Sequence, residues 1–157
     1  SKVVDMNSRF EGCLSLISLD LSNFDTSLAT NLSGLFNRCE KLENVYYNGS
    51  TEDWLNIIFE NGYSNPACYA SYIYMLNETN DYYNVTNLDI SSNITTIYGY
   101  QFYGFDNLLS VSIDNNITNI GFKAFYGCEN LESVYFNGTL EEWNNINFIK
   151  EKICIVK

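Results

Sequence analysis

The sequence predicts an α/β solenoid, a stack of similar coils with a parallel β-sheet along one face and short helices or turns on the other. Three observations carry that expectation. First, the text FYGCENLESVYFNGTLEEWNNINF at Phe125 to Phe148 repeats, slot for slot, FNRCEKLENVYYNGSTEDWLNIIF at Phe36 to Phe59. Self-similarity at fixed spacing marks a repeat architecture. Second, within each copy Phe, Cys and Leu recur at three-residue intervals, as one side of a tight helical turn requires. Leu131, Val134 and Phe136 then end in the period-two alternation of a strand. Third, the shared phenylalanines fall about 26 residues apart early in the chain and about 23 later, the length of one solenoid coil.

The first unit, residues 9–30, places Phe10, Cys13, Leu16, Leu19 and Leu21 in the shared slots. Its strand turns Ser18 and Asp20 outward when Leu19 and Leu21 face in, because strand side chains alternate. The second unit, residues 32–59, has the period of a leucine-rich repeat and adds a tail, Asn48-Gly49-Ser50-Thr51-Glu52-Asp53-Trp54, matched later by Asn137-Gly138-Thr139-Leu140-Glu141-Glu142-Trp143. Asn-Gly ends the strand in a turn. Ser50 with Asp53, and Thr139 with Glu142, stand at capping-box spacing, so a short helix starts there and buries Trp54 or Trp143.

Residues 60–96 form an elaborated coil. Asn65 before Pro66 reads as an N-cap and first helical position and predicts a short tyrosine-rich helix over Ala67 to Leu76. Asn77 to Asn84 is polar and turn-like, and Val85, Leu88 and Ile90 resume the strand pattern, which favours one continuous domain over residues 1–157. Units at 97–118, with Phe102, Leu108, Val111 and Ile113, and at 119–148 complete an array of four to five coils. Ile153, Ile155 and Val156 suggest one more strand. Neither end carries an obvious polar cap, which solenoids need for solubility, so the chain is expected to be part of a longer protein.

Composition narrows the function. At 46% hydrophobic and 16% aromatic residues the chain should fold rather than stay disordered. Its net charge of -11 repels phosphate backbones and anionic membranes, which argues against nucleic acid as a partner. With no histidine, imidazole bases, Ser-His and Cys-His nucleophile pairs and imidazole metal sites are unavailable. No stretch of about eighteen apolar residues is present, so no membrane insertion by this segment is expected. Abundant Asn, Ser, Thr and Tyr suit an exported protein. Sequons at Asn77, Asn84, Asn93 and Asn116 arise readily in an Asn/Thr-rich chain and would matter only in a eukaryotic secretory pathway.

The text TNIGFKAFYGCENLESVYF, Thr118 to Phe136, resembles the unit of the BspA-like, or Treponema pallidum-type, leucine-rich repeats of bacterial and protist surface proteins. SNPACYASYIYML, Ser64 to Leu76, resembles a coil inserted between such units. LDLSNFDTSLATNLSGLF, Leu19 to Phe36, is similar to a sister surface-protein repeat, with Leu32 and Leu35 where methionine is usual; that swap conserves volume. The resemblance covers nearly the whole chain and implies an extracellular or cell-surface protein that binds other macromolecules, such as a host matrix or cell-surface protein or a glycan. It supplies no catalytic or binding residue to carry over.

The residues themselves offer few alternatives. Cys13, Cys39 and Cys128 share one slot that holds Phe105 in the third unit, which suits a buried structural thiol better than a metal or redox site. Cys68 and Cys154 have no repeat partner. Glu52-Asp53 and Glu141-Glu142 stand at helix starts, where acids favour the macrodipole, although a glycosidase also needs two carboxylates, facing across a cleft. No Asp-x-Asp-x-Asp loop suggests calcium. The outward strand positions Asp20, Tyr46, Asp89, Ser112 and Tyr135 are therefore the candidate binding residues, since tyrosine on a rigid sheet anchors sugars or proteins at low entropic cost. The expected function is non-catalytic adhesion or ligand binding, without cofactor or metal. A structural spacer displaying other domains, or a carboxylate-based hydrolase, are the competing readings.

Overall fold

A computed structural model describes residues 10–21, 34–90 and 93–149. The strand predicted near Ile153 and the connection through Asp25 to Ser33 lie outside them. The coils at Phe10, Phe36 and Phe125 open with one tight turn built on Phe-x-x-Cys-x-x-Leu, and the coil at Phe102 has the same turn with Phe105 in the cysteine place. In the second coil the Cys39 N–H donates to Phe36 O at 3.0 Å and the Leu42 N–H to Cys39 O at 2.9 Å, and the same pair recurs from Phe10, Phe102 and Phe125. The turn does not grow into a helix because the residue two places after each phenylalanine is left-handed: Gly12 (φ 74°), Arg38 (63°), Gly104 (76°) and Gly127 (78°). Glycine adopts that conformation freely, whereas a side chain there is strained.

From each turn the chain passes into a strand. β1 (Ser18–Asp20), β2 (Asn44–Tyr46) and β3 (Tyr72–Leu76) pair in parallel, and β4 (Tyr82–Asn84) closes that sheet antiparallel to β3. β5 (Asn87–Ile90) starts a second parallel sheet that continues through β7 (Ser110–Asp114) to β9 (Ser133–Asn137). Between these strands, β6 (Thr96–Ile97), β8 (Asn119–Ile120) and β10 (Asn147–Phe148) form a third, all-parallel sheet. The architecture is the predicted leucine-rich-repeat solenoid: parallel strands on one face, turns and short helices on the other. The later coils also carry a narrow ladder of two-residue strands that the sequence did not announce.

Stacking satisfies the backbone from coil to coil, as buried amides require. Phe10 N–H donates to Leu35 O (3.1 Å), Gly12 N–H to Asn37 O (2.8 Å), Phe102 N–H to Ala124 O (2.8 Å) and Gly104 N–H to Tyr126 O (2.8 Å). Between the sheets and turns lie Leu19, Leu42, Val45, Ile73, Met75, Leu88, Phe102, Leu108, Val111 and Ile113, all buried. Phe10 stacks on Phe36 and Phe102 on Phe125, at 6.0 and 5.3 Å. The cysteine slot adds a link of its own: the thiols of Cys39 and Cys128 donate to Phe10 O and Phe102 O of the preceding coil at 3.1 and 3.2 Å.

Both predicted capping boxes form, starting α1 (Thr51–Leu55) and α2 (Leu140–Asn145). Their burial differs. Trp54 is 2% exposed, whereas Trp143 is half-buried and α2 contributes no buried residue, so the expectation of a fully plugged Trp143 is not met.

The helix expected over Ala67 to Leu76 is also corrected. Asn65 does cap, its side chain accepting from Ala67 N at 3.0 Å, but only the single 3-10 turn Pro66–Cys68 follows. Tyr72 to Leu76 then pairs with β2 as β3. Tyrosine, isoleucine and tyrosine in succession suit a strand, and the edge of β2 supplies backbone partners that a short isolated helix lacks.

A buried polar knot joins the elaborated coil to the later ones. Gln101, fully buried, donates from Nε2 to Trp54 O (2.6 Å) and Ile57 O (2.9 Å). Its own carbonyl accepts from Trp54 Nε1 (2.8 Å) and from Asn65 Nδ2 (3.1 Å). In the next coil the equivalent position is Ala124, which has nothing comparable to hold.

Candidate functional site

The predicted binding residues fall into two rows set by strand register. In the first sheet Asp20 lies beside Tyr46, which lies beside Tyr74, which lies beside Asn84. In the second, Asp89 lies beside Ser112, which lies beside Tyr135. Alternation explains why these side chains face outward: Leu19, Val45 and Ile73 of the first row's strands, and Leu88 and Val111 of the second row's, point into the core.

The first row belongs to a tyrosine patch. Tyr46 stacks on Tyr74 at 4.6 Å with an interplanar angle of 8°, and Tyr82 meets Tyr46 edge-on at 5.4 Å. Tyr72, two residues before Tyr74 on the same face, stacks on it at 6.4 Å. The close pair follows from sheet geometry, because neighbouring strands lie about 4.8 Å apart and so hold rings on adjacent strands at stacking distance. Tyr72 and Tyr82 are 42% and 38% exposed, while Tyr46 and Tyr74 are half-buried by one another. Rings in this arrangement stand on the sheet and present edges and hydroxyls. The outward positions of these four strands are Ser18, Asp20, Asn44, Tyr46, Tyr72, Tyr74, Leu76, Tyr82 and Asn84, with no cation among them. Asn84 Oδ1, at the end of the row, is buried without a hydrogen-bond partner among the described residues.

The second row differs. Its sheet turns Asn87, Asp89, Ser110, Ser112, Asp114, Ser133, Tyr135 and Asn137 outward. Tyr135 is 61% exposed and makes no ring contact among the described residues. Ser110 is engaged by Asn87, its hydroxyl donating to Oδ1 at 2.7 Å, and Asp114 Oδ1 accepts from Asn116 N at 3.1 Å. Three tyrosines of the first patch, Tyr72, Tyr74 and Tyr82, escaped the sequence reading because their segments read as a helix and a turn. The in-out order Tyr72, Ile73, Tyr74, Met75 carried the signal, masked by the Asn-Pro start before it.

One acid of each acidic pair caps its helix. Asp53 Oδ2 accepts from Ser50 N and Ser50 Oγ, each at 2.8 Å, and Glu142 Oε2 accepts from Thr139 N at 2.7 Å and Thr139 Oγ1 at 3.0 Å. Hydrogen bonds from the Thr139 backbone and side chain hold the Glu142 carboxyl below its usual range. Glu52 and Glu78 share an open depression of about 630 Å³ with Ser50, Thr51, Leu76, Asn77 and Tyr83. Among the described residues no group of three or more Cys, Asp or Glu side chains could hold a metal ion. No helix among them is long and apolar enough to cross a membrane. Cys13, Cys39, Cys68 and Cys128 are free thiols. Burial raises Cys39 and Cys68 and pushes Cys128 up to about 12, so these sulfurs stay protonated and Cys39 and Cys128 remain donors. That is the behaviour of structural cysteine.

A stack of repeats with an extended strand face and no gathered catalytic groups among the described residues defines a repeat solenoid of the kind that mediates protein or ligand binding. Comparison with known families makes this specific: the BspA type leucine rich repeat region, in 6 copies, matches residues 6–79 and 67–155, and the chain belongs to that family. Among solved structures, a leucine rich cell surface protein from Faecalibacterium prausnitzii is similar at 13% identity and a TM-score of 0.33, the match covering 91% of this chain and 65% of that one. No curated protein matches the chain.

Proposed function

We propose that this chain is an adhesive, non-catalytic part of an extracellular or cell-surface protein, and that it recognises a host or neighbouring-cell protein or glycan through the outer face of the first sheet. The observation that carries the proposal is the patch of Tyr46, Tyr72, Tyr74 and Tyr82 on paired strands. Rings already ordered against one another lose little freedom on binding, and tyrosine is a preferred anchor of recognition surfaces. Asp20, beside Tyr46, supplies an acceptor at the margin, and the outward positions of the patch include no cation that an incoming group must desolvate. Asp89, Ser112 and Tyr135 form the second, weaker part of the surface. The polar, weakly charged composition and the resemblance to bacterial and protist surface proteins support the extracellular placement.

The test is a screen of the chain against extracellular-matrix proteins and neutral glycans, with the Tyr46→Ala, Tyr74→Ala double variant alongside. Binding that drops at least tenfold in the variant supports the proposal. Binding that survives intact removes the patch from it, and a parent chain that captures nothing across the panel leaves the spacer as the better reading.

A further inference from the structure

A second aromatic patch lies away from the strand faces, on the turns between β6 and β7 and between β8 and β9. Tyr103 and Tyr126, in equivalent slots of consecutive coils, stack at 5.3 Å and 21°. Tyr100 packs on Tyr103 at 5.9 Å and on Phe122 at 5.7 Å. The underside of the stack is the backbone of the elaborated coil: a Cβ on Gly62 would fall 2.8 Å from the Tyr103 ring. Tyr63, beside it, is 58% exposed and Tyr126 is 52% exposed. Lys123 reaches across the group. Its Nζ sits 4.6 Å from the centroid of Tyr126 and 5.3 Å from that of Phe122.

One feature of Lys123 goes beyond packing. The chain has 19 acidic against 8 basic residues, yet Lys123 makes no ion pair among the described residues and rests on two ring faces instead. Its left-handed backbone, φ 55°, is shared by the equivalent Gly34 (60°) and Tyr100 (59°) and so belongs to the coil. A side chain there costs about 1 kcal/mol relative to glycine. Cation–π contact holds the ammonium in place without consuming its hydrogen-bond donors, so they remain for an anion.

The geometry points to an anion-recognition site at Lys123 for an acidic glycan, a pyranose whose carboxylate meets the ammonium while its hydroxyls meet the phenols of Tyr63, Tyr100, Tyr103 and Tyr126. Charge complementarity selects the sugar over an acidic peptide. One cation beside several phenols matches one carboxylate among several hydroxyls, whereas each further carboxylate would add repulsion from a chain of net charge -11. Burial, with the neighbouring Cys68, Tyr126, Tyr63 and Tyr100, raises Tyr103. The site stands apart from the first-sheet tyrosines.

The probes are tetrasaccharides bearing glucuronate or sialate, a neutral tetrasaccharide of equal length and an oligoglutamate peptide, titrated at low and at physiological salt. The acidic sugars should bind at least tenfold more tightly than the neutral one. Lys123→Arg should stay within about threefold, keeping charge and ring contact, and Lys123→Gln should lose at least tenfold. Lys123→Gly separates folding from binding: relief of the left-handed strain should raise its denaturation midpoint while its affinity for the acidic sugars falls as far as that of Lys123→Gln. The Tyr46→Ala, Tyr74→Ala variant should bind these sugars like the parent. Equal binding of acidic and neutral sugars, unchanged affinity in Lys123→Gly, or preference for the peptide would each overturn the assignment.

Discussion

The outer faces of the two principal sheets are made by the same repeat yet differ in what they offer. The first presents four tyrosines in mutual contact around Tyr46. The second presents Asp89, Ser112 and a solitary Tyr135, with Ser110 engaged by Asn87. The inward residues are interchangeable, Val45 against Val111 or Val134, because the coil dictates them. The outward residues are not, and the difference comes from the elaborated coil: β3 brings Tyr72 and Tyr74, and β4 turns back to bring Tyr82. A regular array would have had another leucine-rich strand there. The insertion thus converts one stretch of a uniform surface into a local aromatic one.

The largest expected effects fall on the junction that holds these two regions together. Gly104 is left-handed, and a Cβ there would meet the carbonyl of Ala67, so Gly104→Ala combines backbone strain with a clash against main chain. A loss of about 3 kcal/mol or more in urea unfolding is expected. Gln101→Ala strips the Ile57 carbonyl of its side-chain donor, at about 1–3 kcal/mol, while the Trp54 carbonyl keeps the Ile57 N–H. Unfolding in two steps by tyrosine and tryptophan probes would show that the knot couples the halves; an unchanged single transition would show that it does not.

Smaller effects attach to the cysteine slot. Cys128→Ala removes the thiol donor to Phe102 O and leaves a small void, worth about 1–2 kcal/mol. Its titration has a definite sign. The folded state keeps a proton to about pH 12 that the unfolded chain releases near 9, so stability is whole below about pH 9 and declines as pH rises toward 12. The variant should flatten that alkaline decline, measured as denaturation midpoint against pH. Glu142 has the opposite sense: its lowered carboxyl supports the fold at neutral pH, and that support fades as acid protonates it. The smallest effect is a gain. Arg38 is left-handed, its backbone N–H bonded to Tyr69 Oη at 3.0 Å, a bond that glycine would keep. Arg38→Gly should therefore raise stability by about 0.5–1 kcal/mol in the same urea assay.

The scaffold was legible in the sequence because repetition exposes it. Phe36 and Phe125, Cys39 and Cys128, and the two capping boxes announce their roles by recurring, and the structure places them in equivalent positions. What was illegible occurs once. Asn65-Pro66 is a sound helix start, but the segment after it obeys the free edge of β2 rather than its own N-cap, since tertiary pairing outweighs local propensity in a short segment. With the segment of β3 carrying a helix signal, Tyr72 and Tyr74 have no face in the sequence, and the group around Tyr46 is visible only in the structure. The glutamine that ties the halves was equally hidden. Gln101 stands in a slot that holds Arg9, Leu35 and Ala124 elsewhere, so no apolar pattern across the repeats marked it out. Trp143 shows the converse limit, because the equivalent slot holds a buried tryptophan only where Gln101 and Phe105 pack on it.

The difference between the two faces is tested most directly by one affinity comparison. Against the strongest binder from a matrix-protein and neutral-glycan panel, Kd is measured for the parent, for Tyr46→Ala with Tyr74→Ala, and for Ser112→Ala with Tyr135→Ala, each verified as folded. The tyrosine-patch variant should weaken binding at least tenfold, about 1.4 kcal/mol, and the second-sheet variant by less than about threefold. Equal losses, or a larger loss from the second sheet, would contradict the assignment of recognition to the first.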